Sequence, residues 1–381
     1  MKLRYRTLNI IIILALFSIL LVGCGKLSKN LKFGFIGPLT GPAAAWGIAQ
    51  KNGIEIAVEE LNSAGGINGR KVEIIYEDSQ MDSNKAILAM KKLTGVDKVP
   101  VVFGETASAQ TLAIAPVANT AKVVLLSPIS SSTAITGTGV FRISPADNFQ
   151  ASIAAKLAVN KGYKRGAIIY TNDEWGKGLT DGFKKNFTSL GGTIVSSDGT
   201  EGSTRDFRTQ LTKVRESNVD FLYIPLHPDS AVPVLQQAKE LGLTVPILGT
   251  DAFSEPTIVQ IAKKAAEGIV YVVAKSPSGK SFEDFSKKYH DKFSEAANYN
   301  AAAGYDAVMV ITEAIKKAKS IKGEDIKSAL YTIKDYSGVS GVITFDANGD
   351  VTSKEFESMV IKDGKGVSYS GIPSSQKGSA K

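Results

Sequence analysis

Few residues in this 381-residue chain carry reactive chemistry, and those that do stand just after short apolar runs. "GETASAQT" (104–111) sets Ser108 at the start of a helical pattern. There its hydroxyl can cap the helix. Together with free backbone N–H groups it can instead accept a carboxylate at the helix's positive end. Spacing leaves both readings open. "SPISSST" (127–133) brings more hydroxyls after the next run. "YTNDEWGKG" (170–178) and "LGTDAFSE" (248–255) each set a carboxylate among small residues, the first beside Trp175. Asp251 can pair with a cation or cap the helix that follows it. "PLHPDS" (225–230) puts His227 at a strand end.

Common catalytic constellations are missing from this set. The chain has two histidines, His227 and His290, and no G-x-S-x-G elbow surrounds any serine. His290 lies in the charged segment "KKYHDKF" and reads as a solvated helix residue. "DANGD" (346–350) lacks the downstream ligands of a calcium loop and reads as an Asn-Gly hairpin turn. "AKSPSGKS" (274–281) fits a permissive phosphate-loop spelling, but proline replaces glycine content that lets a backbone wrap phosphates. It reads as a surface crossover loop. Neither a metal nor a cofactor is expected.

The N-terminus sets the compartment. Lys2, Arg4 and Arg6 precede the uncharged stretch "LNIIIILALFSILLV" (8–22), and "LVGC" ends at Cys24. That is the layout of a secretory signal. Cys24 is the only cysteine, so an exported chain has no internal disulfide and the thiol needs another role. Formal charge is +8, and removal of the leader with its three basic residues leaves about +5. Lysines and arginines are scattered among acids, which argues against a nucleic-acid partner and suits a surface facing an anionic membrane. "PSSQKGSAK" (373–381) is low-complexity and is expected to be disordered.

The loops need elements to hold them. Short Val/Ile-rich runs at 71–78, 99–104, 122–128, 166–171, 219–225, 245–250 and 268–274 have the character of strands buried on both faces. Helical stripes alternate with them: Ile54, Ala57, Val58 and Leu61, then Leu179, Phe183, Phe187 and Leu190, then Phe207, Leu211 and Val214. Glycine pairs at Gly65-Gly66 and Gly191-Gly192 follow two of the stripes as helix stops. Strand–helix alternation implies parallel sheets with right-handed crossovers, and so many strands need two of them. Ligands of open α/β sheets sit beyond the carboxyl ends of the strands, where every loop named above lies. The segment 338–365 differs, with alternating runs on either side of a turn.

From "LKFGFIGPLTGPAAAWG" through "GETASAQT", "YTNDEWGKGL" and "LGTD" to "GVSGVITFDANGD", the chain resembles the branched-chain amino-acid-binding proteins of ABC importers, the type I periplasmic binding proteins. The resemblance covers residue 31 to about 365. It implies an α/β fold of two doubly wound parallel-sheet lobes joined by three hinge crossovers near 147, 275 and 338. Residues 31–147 and 275–337 would form one lobe, 148–274 the second, and 338–369 a return to the second lobe and hinge. "LVGC" resembles a lipobox, which implies a signal peptide at 1–23, lipidation of Cys24, a linker over 24–30 and a tail at 370–381.

Carried over residue by residue, the resemblance assigns a ligand carboxylate to Ser108 with Ala107 and Ala109. It assigns an ammonium to the Ile129 carbonyl, Ser131 and Asp251, and cleft walls to Trp46 and Trp175. His227 stands where the family commonly has tyrosine, and an aromatic near Asn300 is replaced too. Both departures point to a pocket more polar than one built for leucine. The implied partners are an amino acid or a related amide, a permease with separate ATPase subunits, and the outer face of the bacterial cytoplasmic membrane through the lipid on Cys24. The implied state is a monomer without enzymatic activity. Two rival outputs share these features: a sensory module presenting its ligand to a receptor, and an enzyme using Asp251, His227 and Ser108 on a bound amide.

Overall fold

A computed structural model of the chain describes residues 30–370 apart from Pro42 and Ser276. The leader, Cys24 and the tail from 371 lie outside the described residues. Burial of continuous apolar runs builds the first sheet. β1 (Leu31–Gly37) pairs in parallel with β2 (Val72–Asp78) along its whole length and with β3 (Val101–Phe103) on its other side. β4 (Val124–Ser127) and β5 (Phe141–Arg142) complete the order β2-β1-β3-β4-β5. Phe33, Phe35, Val101, Phe103 and Leu126 are fully buried, as strands covered on both faces require. α1 (Ala44–Ser63), α2 (Ser83–Gly95) and α3 (Ser108–Thr120) supply the crossovers.

The chain leaves this lobe after β5. α4 (Asp147–Asn160), β6 (Arg165–Thr171), α5 (Glu174–Ser189) and β7 (Thr193–Thr200) open the second lobe. α6 (Arg208–Glu216), β8 (Phe221–Tyr223), α7 (Pro228–Glu240), β9 (Ile247–Gly249), α8 (Pro256–Ala262) and β10 (Val270–Ala274) follow. The helical stripe of α5 packs as expected: Phe183 and Phe187 are fully buried and meet Phe221 at ring centroid distances of 5.8 and 5.3 Å. Leu190 departs from the stripe, because it falls just past the last turn of α5 and is 44% exposed.

α9 (Lys280–Phe293), α10 (Tyr299–Lys317) and α11 (Gly323–Leu330) return to the first lobe. α10 lies so close to α1 that a Cβ on Gly53 would stand 1.9 Å from the Ala301 carbonyl oxygen, and one on Gly304 would stand 2.4 Å from that of Gln50. Only glycine fits either place. The phosphate-loop spelling is a surface crossover here, with Gly279 ahead of α9 and Lys280 paired to Asp284 in water.

The last passage between lobes comes later than the expected 338. β11 (Tyr336–Gly338) and β12 (Gly341–Ile343) form a small separate sheet, and Ile343, Phe345 and Val351 are buried in the first lobe's core. Only β13 (Phe356–Lys362) and β14 (Lys365–Ser368) join the second lobe, adding an antiparallel edge to the order β14-β13-β10-β9-β8-β6-β7. "DANGD" closes an isolated bridge between Phe345 and Val351, while the longer hairpin turns at Asp363-Gly364. Both turn residues there have positive φ (51° and 71°), the geometry an Asp-Gly pair favours.

Arg142 holds this late segment to the first lobe. Its guanidinium is fully buried, donating from Nε to Asp350 Oδ1 at 2.7 Å, from Nη1 to the Ser132 carbonyl at 2.8 Å and from Nη2 to Thr136 Oγ1 at 2.7 Å. Removing one partner of a buried ion pair strands the other. Asp350→Asn is therefore expected to lower stability by about 3 kcal/mol, read as a shifted urea midpoint with an unchanged slope.

Candidate functional site

The carboxyl ends of both sheets face one another across a cleft that encloses a cavity of about 50 Å3. On the first lobe, the loops after β3 and β4 bring Thr106, Ala107, Ser108, Ile129 and Ser131 to its surface. Ser108 does not cap α3. Ala107 is the capping residue, with extended backbone, and Ser108 opens the first turn. The Ser108 hydroxyl accepts the Ser132 amide at 3.2 Å, joining the two loops. Amides of a first helical turn have no carbonyl of their own helix to bond, so this end of α3 can receive an anion. Ala109 is half-buried on the same turn and is not among the residues lining the cleft.

Glu105 shapes that loop from within. It is fully buried; its side chain accepts the amides of Thr106 (2.6 Å) and Ala107 (3.3 Å), and its carbonyl accepts the hydroxyls of Ser127 (2.7 Å) and Ser130 (2.8 Å). Burial pushes its carboxyl up to about 7.

The second lobe supplies the opposite charge. Asp251 opens a short turn after β9, and its Oδ1 accepts Gln150 Nε2 at 3.0 Å. Burial raises its carboxyl above the ordinary value. Four residues on, Glu255 is also buried, accepting Asn300 Nδ2 at 2.8 Å across the cleft from the start of α10. Burial and the nearby Asp251 charge push Glu255 up to about 7.

Aromatic rings close the space between the lobes. Trp46, on α1, lies 6.4 Å from Trp175 and 5.5 Å from His227 between ring centroids. Trp175 and His227 stack at 4.8 Å with planes 20° apart. His227 Nε2 meets Asp173 Oδ2 at 2.6 Å, and Asp173 Oδ1 caps α5 through the Gly176 amide at 2.8 Å. Burial alone would raise the Asp173 carboxyl, but the hydrogen bonds of His227 and of the Gly176 and Trp175 amides outweigh it and hold it low. His290 is exposed on α9, far from this chemistry in kind.

Of the residues expected in the site, Trp46, Ala107, Ser108, Ile129, Ser131, Trp175, His227 and Asp251 all line the cleft. Sequence reasoning missed Glu255, Gln150 and Tyr299 as lining residues. Glu255 had a signal, a second carboxylate four positions after Asp251 in one loop. Gln150 had none, because only the path of the first crossover brings it there.

Two hinged α/β lobes closing their strand ends on a small cavity are the architecture of a solute-binding protein. The family described as periplasmic binding protein matches residues 30–365, and the chain belongs to that family. It is 32% identical over 346 residues to the Leu/Ile/Val-binding protein BraC3 of Rhizobium johnstonii, covering 88% of this chain and 93% of that relative. A leucine-, isoleucine-, valine-, threonine- and alanine-binding protein of Pseudomonas aeruginosa is 28% identical, with 86% and 89% covered. Among solved structures, the leucine-binding protein LivK of Thermotoga maritima matches with TM-score 0.84 at 30% identity, covering 89% of this chain and 98% of that one. The LivJ protein of Streptococcus pneumoniae, solved with isoleucine, matches with TM-score 0.82 at 29% identity and the same coverage. The two-lobed type I fold implied by the sequence is borne out.

Several of the site's carboxyls keep protons when folded that the unfolded chain releases. Glu105 and Glu255 are held at about 7 and Asp147, the buried first residue of α4, at about 8, against ordinary values of 4.5 and 3.8. Where the folded state binds more protons, stability falls as pH rises, here between the unfolded and folded values. The ligand-free protein is expected to melt several degrees higher at about pH 5.5 than at about pH 8. Glu255→Gln should flatten part of that slope in scanning calorimetry.

Proposed function

We propose that this chain is the extracytoplasmic solute-binding component of an ABC importer, and that it captures an α-amino acid between its lobes. The observation that carries the reading is the pairing, across one small cavity, of the open end of α3 with Asp251. A zwitterion needs an anion site and a cation site a few ångströms apart. The first turn of α3, with the Ser108 hydroxyl, suits the carboxylate, and Asp251 suits the ammonium through charge-assisted bonds. Trp46, Trp175 and His227 exclude water and so strengthen both interactions. The relatives' names, which include leucine, isoleucine, valine, threonine and alanine as ligands, support the same class.

The chain carries out no chemistry on its ligand in this reading. His227 Nε2 is committed to Asp173, and no serine hydroxyl pairs with the ring among the described residues. Among those residues no helix is long and apolar enough to cross a membrane. Lipid on Cys24 would hold the protein at the outer face of the membrane as a monomer, beside a permease whose ATPase subunits are separate chains.

The test is direct. A thermal-shift screen of the common amino acids identifies the ligand by the stabilisation its binding brings. Ser108→Ala and Asp251→Ala are each expected to weaken that ligand at least tenfold in calorimetry, about 1.4 kcal/mol. A screen in which no amino acid stabilises the protein, or variants that both bind normally, would overturn the reading.

A further inference from the structure

The cleft carries more negative charge than a simple zwitterion answers. Asp173, Asp251 and Glu255 line it, and among the described residues no lysine or arginine does. Asp173 has hydrogen-bond partners in His227 Nε2 at 2.6 Å and the Gly176 amide at 2.8 Å. In the reading above, which this inference rests on, the ligand's ammonium answers Asp251 and its carboxylate is met by the end of α3. Glu255 is left over. It is 4% exposed, and its partners are neutral: Asn300 Nδ2 at 2.8 Å and the Trp46 side chain beside it. A buried carboxylate without a countercharge is costly, so it must take up a proton or meet a cation.

A second observation points to the ligand. The His227 ring is 7% exposed and lines the cavity, and its Nδ1 has no partner. In the tautomer that directs Nε2–H at Asp173, Nδ1 is an acceptor. An unmet acceptor and a carboxylate with only neutral partners therefore both line the cleft. An aliphatic side chain would leave Nδ1 without a bond and Glu255 without a countercharge. A side chain bearing a cation satisfies both, since an ammonium or guanidinium donates several hydrogen bonds at once. Asp147 deepens the preference. It is buried at the start of α4, where burial and the charges of Asp251 and Asp173 raise its carboxyl against the hydrogen bond of Ser131 and the charge of Arg142.

We propose that the cleft selects a basic α-amino acid, with the α-ammonium on Asp251 and a second cationic group on Glu255, its remaining hydrogen shared with His227. Glu255 is then the specificity-determining residue, and Asn300 orients its carboxylate from the opposite lobe.

The experiment is calorimetry on the full mature chain at about pH 7.5 with ornithine, lysine, arginine, glutamine, leucine and norvaline, which is ornithine without its ammonium. At least one basic amino acid is expected to bind ten times or more tighter than norvaline and leucine. Glu255→Gln should weaken that ligand at least tenfold while leaving norvaline and leucine unchanged or tighter. Glu255→Ala repeats the measurement in case the glutamine variant melts early. Binding of the basic ligand near pH 7 should also release protons, read by comparing buffers of different ionisation heat, because the cation displaces the proton that burial and the Asp251 charge favour on Glu255. If leucine, norvaline or glutamine binds as tightly as every basic amino acid, the inference falls and Glu255 is a protonated latch to Asn300. The amino-acid reading then stands, provided Asp251→Ala still removes the binding. If no amino acid binds at all, both fall together.

Discussion

Trp46 reaching across the cleft to the stacked pair of Trp175 and His227 is the contact on which the rest of the arrangement depends. Trp46 comes from α1 of one lobe, and the pair comes from the first turn of α5 and the loop after β8 of the other. Aromatic faces and edges at these separations attract by about 0.5–1.5 kcal/mol beyond the area they bury. That is enough to bias two lobes toward closure but not to lock them. Their larger effect is to keep water out of a space containing three carboxylates. Without that exclusion the end of α3 and Asp251 would be ordinary solvated surface groups, worth little to a ligand.

For such a contact to work, each lobe must move as one body. The crossings are braced accordingly. Arg142 ties the strand before the first crossing to Asp350, just ahead of the last. Nearer the third crossing, Lys354 is buried and donates to the carbonyl (2.6 Å) and hydroxyl (2.8 Å) of Ser340. Ser340 also donates its amide to Asp306 at 2.7 Å, on α10. Burial pushes the Lys354 ammonium down to about 8, with the Asp306 charge opposing the shift. Side chains with hydrogen bonds this specific leave bending to the few residues between them, which is how a hinge concentrates its motion.

How much of this was legible in the chain follows from the range of the interactions involved. β2, β3, β4, β6, β8, β9 and β10 were read from continuous Val/Ile runs because burial on both faces writes itself locally. β7 was not, since "TIVSSDGT" forms a sheet edge and stays polar. The loops of the site were legible because parallel sheets place ligands beyond strand ends, so Asp251 and His227 could be found from the strands before them. For Ser108 spacing leaves capping and anion binding both open, because one residue of register decides whether a hydroxyl caps a helix or bonds a neighbouring loop, and here Ala107 takes the capping position. The last crossing was set too early, as burial of Phe345 and Val351 in the first lobe is a long-range fact with no local signature.

The most consequential illegible feature is the balance of charge. Asp173, Asp251, Glu255 and the nearby Asp147 come from separate loops and a crossover. Each alone resembles a helix cap or a solvated turn residue. Brought together in a space sealed by Trp46, they make closure an electrostatic process, because sealing the cleft removes the water that stabilises their charges. A ligand that supplies the missing positive charge binds the closed form better than the open one. By linkage it can shift the lobes toward closure only by that difference in affinity. Selectivity and motion therefore have one source here. The same uncompensated carboxylate that discriminates among side chains also resists closure around an empty or wrongly filled cleft, so the closed geometry forms only when the charges are met.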